Sequence, residues 1–82
     1  MSDVLPLGIL PLGHTALVEH VAGDAAAVHR FREMGFCDGA LVEMVQPGEP
    51  CIVRIGGHKL AFRLDSTVSI FVREAKPVGV AG

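Results

Sequence analysis

Two spacings of apolar residues divide this chain. From Asp24 to Gly35 they recur every three or four positions: Val28, Phe31 and Met34, with Ala27 one turn before Phe31. That spacing places them on one stripe of a helix. Asp24 is suited to accept from the free N–H groups of the first turn, Ala25-Ala26-Ala27 favours helix, and Gly35 suits the residue just past its end. Elsewhere the period is two. His14 to Val21 predicts a first strand, with Ala16, Val18 and Val21 inward and a slip in register between the last two. Val42 and Met44 alternate with Leu41 and Glu43, and Cys51, Val53 and Ile55 alternate with Ile52 and Arg54. Leu60, Phe62 and Leu64 return after Gly56-Gly57, a pair suited to the positive φ angles of a two-residue hairpin. Asp65-Ser66-Thr67 predicts a tight turn. Ser69 to Arg73 forms the last strand, with Ile70 and Val72 inward and Phe71 outward.

Before the first strand, Leu5-Pro6-Leu7-Gly8 and Leu10-Pro11-Leu12-Gly13 flank Ile9. The prolines fix φ and remove donors, so this lead-in is extended and turning, with its leucines across one end of the core. Five short strands in so small a domain predict a mainly β fold with one inserted helix. The expected architecture is a five-stranded barrel that leaves few free edges, the helix covering one open end. Residues 1–75 form the single domain expected, and 76–82 a mobile tail.

Composition sharpens this picture. The chain has 82 residues, 50% of them hydrophobic, and a mean hydropathy of +0.47. A domain near this size buries only about 60–65% of the surface its unfolded chain exposes. Some apolar side chains must stay outside, as a patch for a partner or for weak self-association. Strand alternation and the lead-in supply the candidates: Leu7, Ile9, Leu41, Ile52 and Phe71, with the equal alternative for Leu7 and Ile9 that they close the barrel. A second candidate surface is the polar helix face with His29, Arg30 and Glu33. No apolar run reaches the ~18–20 residues of a membrane span, and the N-terminus lacks the basic start of a signal peptide. A cytoplasmic protein that does not insert into the membrane is expected.

Charge and chemistry narrow the function. Seven Lys and Arg against nine Asp and Glu give a formal net charge of −2. The basic residues are scattered among acids, so nucleic acid is not the expected partner. Phosphate-loop, dinucleotide, nucleophile-elbow and H-E-x-x-H motifs are all absent, so no catalytic residue is expected. Cys37 and Cys51 fit reduced, packed thiols. His29 and Glu33, four apart on the helix, have chelating geometry for a divalent ion, but a solvated helix face with a weak ion pair is the simpler reading and no metal site is expected there. His14 and His20 stand roughly 20 Å apart on a straight strand, too far to share one metal. A barrel with no Trp, no Tyr and only four Phe is a poor groove for proline-rich peptides.

Together these elements resemble the FeoA family over residues 7–73. The resemblance rests on Leu10-Pro11-Leu12-Gly13, Ala16 and Val18, and the segment from Phe31 through Met34-Gly35-Phe36-Cys37-Asp38-Gly39. Pro50 before a strand, Gly56-Gly57, and Arg63 leading to Ile70 and Val72 complete it. The family often has Leu in place of Phe31, Leu or Ile in place of Phe36, Pro in place of Asp38 and Ala in place of Thr67. The resemblance implies an SH3-like barrel and an accessory role in ferrous-iron uptake. Its implied partner is the cytoplasmic part of FeoB, a membrane iron transporter with a GTPase domain. No cofactor is implied beyond an adventitious divalent ion. The alternative is a small metal-binding or metal-sensing protein that uses surface His and Cys for Fe²⁺ or a similar ion.

Overall fold

The computed structural model describes residues 4–63 and 68–75. Strand β1 (Val4–Pro6) runs into a 3₁₀ turn (Leu7–Ile9), followed by β2 (Thr15–Gly23), helix α1 (Ala25–Glu33), β3 (Leu41–Gln46), β4 (Cys51–Ile55), β5 (His58–Phe62) and β6 (Val68–Glu74). All ladders are antiparallel, in the order β1-β6-β2-β3-β4-β5. The fold is mainly β with one inserted helix, as expected, but with six strands and not five. The additional strand is the front of the lead-in, where Val4, Leu5 and Pro6 pair with Arg73, Val72 and Phe71. An edge position tolerates Pro6, which has no N–H to give a further neighbour. Among the described residues no ladder joins β5 to β1. The sheet is curled and barrel-like but keeps two edges.

Strand β2 is the spine. It pairs with β6 along most of its length and with β3 at Thr15–Leu17. Its ladder to β6 slips between Val18 and His20, where Glu19 is the additional residue. Such a bulge resets the alternation, so Val18 and Val21 both turn inward. The Gly56-Gly57 hairpin has φ of +58° and +82°, the two positive angles of a type I′ turn. It sets the β4–β5 register, with Cys51 opposite Phe62 and Val53 opposite Leu60.

Helix α1 starts and stops as its sequence dictates. The Asp24 carboxylate accepts from the Ala27 N–H at 3.2 Å. At the far end the Gly35 N–H donates to the Arg32 carbonyl at 3.0 Å and the Phe36 N–H to the Phe31 carbonyl at 3.1 Å. With Gly35 at φ +114°, this is the paired closure of a Schellman motif. It turns the chain so that Phe36, fully buried, meets Phe31 and Phe62 edge to face, at centroid separations of 5.6 and 5.4 Å. The aromatic trio ties the helix to β5 across one end of the curled sheet. Among the described residues no polar or charged side chain is buried. The expected turn at Asp65-Ser66-Thr67, the inward Leu64 and the tail 76–82 lie outside the described residues.

Candidate functional site

The inner face of the sheet is filled by Val18, Val42, Met44, Val53, Ile70 and Val72, so any docking surface lies on the outer face, the turns or the helix. One expected contact residue moves out of contention. Leu7 is 0% exposed, because the 3₁₀ turn, closed by the Leu10 N–H on the Leu7 carbonyl at 3.0 Å, swings its side chain beneath the sheet edge. Leu10 is buried with it, while Ile9 and Leu12 stay exposed. The lead-in thus closes the core with Leu7 and Leu10 and presents Ile9 outside.

The outer face can be read from register. Val4 of β1 opposes Arg73 of β6, Arg73 opposes Leu17 of β2, and Leu17 opposes Leu41 of β3. Three of these four are large exposed apolar side chains: Val4 at 48%, Leu17 at 37% and Leu41 at 56%. Arg73 is held flat in the row by Glu19, with Nη2 to Oε2 at 3.0 Å. Half-buried Phe71 sits in the neighbouring row, between Pro6 and His20. Ile52, also half-buried, is separated from Leu41 by the Glu43–Arg54 pair, at 3.0 Å. The expected apolar set therefore does not converge. Leu41 belongs instead with Leu17 and Val4, two residues the sequence reading did not single out. The signal for Leu17 was present, since it alternates with inward Ala16 and Val18; Val4 had none, because its strand was not predicted.

The helix face splits in two. His29 and Glu33 are well exposed and form an ion pair, Nε2 to Oε2 at 3.1 Å. Among the described residues no group of three or more His, Cys, Asp or Glu side chains converges, so this pair has no third protein ligand there. His14, just ahead of β2, pairs with Glu74 at the other end of the sheet. Arg30 faces a different way. It rims a groove of about 300 Å³ between α1 and the end of β5, floored by Phe31, Met34 and Phe62. A second depression, of about 260 Å³, lies between the 3₁₀ turn and β6, walled by Phe71 and floored by Leu7 and Ile70. Cys37 is exposed and Cys51 buried. Burial pushes the Cys51 thiol above its ordinary 9.0. Among the described residues no helix is long and apolar enough to cross a membrane.

The FeoA domain model matches residues 5–74, which take in all of the strands and the helix except Val4 at the start of β1. The chain belongs to the FeoA family. It is a small protein of ferrous-iron transport. Three solved structures carry the same fold. The FeoA of Stenotrophomonas maltophilia, complexed with zinc, is 36% identical at a TM-score of 0.73, over 83% of this chain and 88% of its own. It is described as a prokaryotic SH3 domain protein, and a role as a ferrous iron transport activating factor is put forward for it. An iron uptake regulatory protein (FeoA) superposes at a TM-score of 0.74 with 23% identity, covering 89% of this chain and 100% of that one. Iron(II) transport protein A of Clostridium thermocellum gives 0.69 with 22% identity, over 83% of this chain and 45% of that one. At those identities the last two speak for the fold alone. No curated protein matches the chain at a significant level. The SH3-like description fits the curled sheet here, and the FeoA match covers the segment from Phe31 to Gly39 whose glycine and aromatics build the end of the barrel.

Proposed function

We propose that this FeoA chain acts in the cytoplasm as an accessory protein of ferrous-iron uptake. In this reading it binds the cytoplasmic part of a FeoB-type membrane transporter with a GTPase domain and modulates it, catalysing no reaction itself. The observation that carries the proposal is the FeoA match across residues 5–74. The surface is consistent with a binding role. Val4, Leu17 and Leu41 leave apolar area on the outer face of the sheet, where a monomer gains nothing from it. The test is a pull-down of the FeoB-type GTPase domain encoded in the same genome, with and without guanine nucleotide. Specific retention supports the reading, and its absence in both nucleotide states overturns it.

One observation favours a second reading, direct binding of a divalent metal: the 36% identical relative is complexed with zinc. In this chain the candidate ligands are His29 and Glu33, both on the exposed helix face. Two side chains of one helix turn give a weak site unless another molecule completes the coordination. Equilibrium dialysis with Fe²⁺ and Zn²⁺ decides it. Stoichiometric sub-micromolar binding that is lost in His29→Ala would favour a metal carrier or sensor over a docking module.

A further inference from the structure

The groove beside α1 has a composition that distinguishes it from the rest of the surface. Its floor is Phe31, Met34 and Phe62, and its two polar walls are Arg30 from the helix and Arg63 from the end of β5. Among the described residues no acidic side chain lines it. Both arginines are exposed, and neither joins any of the ion pairs found among the described residues, whereas Arg54 and Arg73 are each matched to a glutamate on the outer face. Phe62 and Met34 are only half-buried, so the aromatic floor is reachable from outside. Aromatic residues, methionine and arginine are the types enriched where protein partners meet, and they dominate the binding energy of such contacts. Met adapts its shape to an incoming side chain, and Arg pairs with carboxylates in two-point geometry.

We infer that this groove docks an acidic segment of a protein partner, one that inserts a large apolar side chain between Phe31, Met34 and Phe62 while flanking carboxylates pair with Arg30 and Arg63. The choice of occupant follows from charge. In a chain of net charge −2, two arginines that join no ion pair among the described residues, set beside an apolar floor, select against basic segments and for acidic ones. Rims of this kind act mainly through association rate and salt dependence, while the apolar anchor sets the residence time. The inference deepens the proposed function and rests on it for the identity of the partner, but the groove chemistry can be tested without that partner.

The experiment uses the full chain, its Arg30→Glu/Arg63→Glu double variant and an Arg32→Glu control at an exposed arginine that does not line the groove, each checked for an unchanged thermal transition. Two titrants are measured. One is the FeoB-type GTPase domain. The other is a set of fluorescein-labelled decapeptides with a central Phe or Leu flanked by Asp and Glu, alongside versions flanked by Lys. Expected is binding of the acidic peptides that weakens about tenfold or more in the double variant, weakens with salt, and survives Arg32→Glu. A GTPase domain that binds wild type and is weakened in the same way supports both readings. Retention of that domain by the double variant at wild-type affinity overturns the groove while the proposed function stands. Should the domain not bind wild type at all, the proposed function falls and the peptides alone decide. Acidic-selective, arginine-dependent binding then upholds the groove, and no binding or equal binding of Lys-flanked peptides overturns it.

Discussion

Gly35 shows how one residue can set the geometry of a whole end of the molecule. Its φ of +114° lets the chain leave α1 through paired bonds to the Arg32 and Phe31 carbonyls and deliver Phe36 into the core. Space is not the constraint, since an added Cβ would meet the Ile55 side chain only at 3.8 Å. The cost of a side chain is conformational. Gly35→Ala is therefore expected to lower stability by about 1–2 kcal/mol, read as a drop in Tm of several degrees with an unchanged far-ultraviolet spectrum. The two cysteines make a second contrast at this scale. Cys51 is buried with its Sγ 3.8 Å from the Met44 sulfur, whereas Cys37 is exposed. A thiol reagent at neutral pH should label Cys37 quickly and Cys51 only as fast as the domain opens. Burial raises the Cys51 thiol in the folded state, so above its ordinary 9.0 the unfolded chain loses this proton first. Stability should accordingly fall as pH rises through that value, an alkaline decline that Cys51→Ala lessens in parallel urea titrations.

Elements, not single residues, carry the link between the helix and the sheet. Phe31 from α1, Phe36 from the following turn and Phe62 from β5 meet pairwise at 5.4 to 5.6 Å. Truncating fully buried Phe36 to Ala removes its transfer energy and leaves a cavity, about 3–5 kcal/mol together, while half-buried Phe62→Ala should cost clearly less. Urea unfolding of the two variants measures the difference, and equal losses would mean that the trio does not pack as one unit. Most elements were legible in the sequence because local chemistry specified them. Asp24 and Gly35 marked the helix ends, Gly56-Gly57 marked the hairpin, and the spacing of Val18 and Val21 revealed the bulge. Strand β1 was not, since its ladder depends on β6, far along the chain, and its Pro6 argues against a strand when read alone. Leu7 was left open between surface and core, and a 3₁₀ turn, not strand alternation, decides that it points inward. The Arg30 groove exists only once β5 is folded against α1, so composition could flag Arg30 as exposed but could not pair it with Arg63.

At the scale of the whole molecule, the open sheet raises the question of what keeps its edges from pairing between copies. Among the described residues the order β1-β6-β2-β3-β4-β5 leaves β1 and β5 each with a free side. Strand β1 is three residues long and ends in Pro6, too short and too poor in donors to template another strand. Strand β5 is five residues, His58–Phe62, and its ladder to β4 is unbroken, so length does not protect it. Its protection is Lys59, an exposed charge on the outward-facing register opposite Arg54. A second copy approaching this edge in antiparallel register would bring cations against cations, and would have to desolvate them. Lys59→Val leaves the core untouched and favours strand structure, so the folded domain should keep its stability. It should also acquire concentration-dependent association, visible in sedimentation velocity as a weight-average coefficient that rises with loading where wild type rises less. Added salt screens the wild-type edge but has no charge at position 59 to screen in the variant, so the gap between the two should narrow as ionic strength increases. Equal sedimentation of the two proteins at every concentration would show that the β5 edge is guarded by something other than charge.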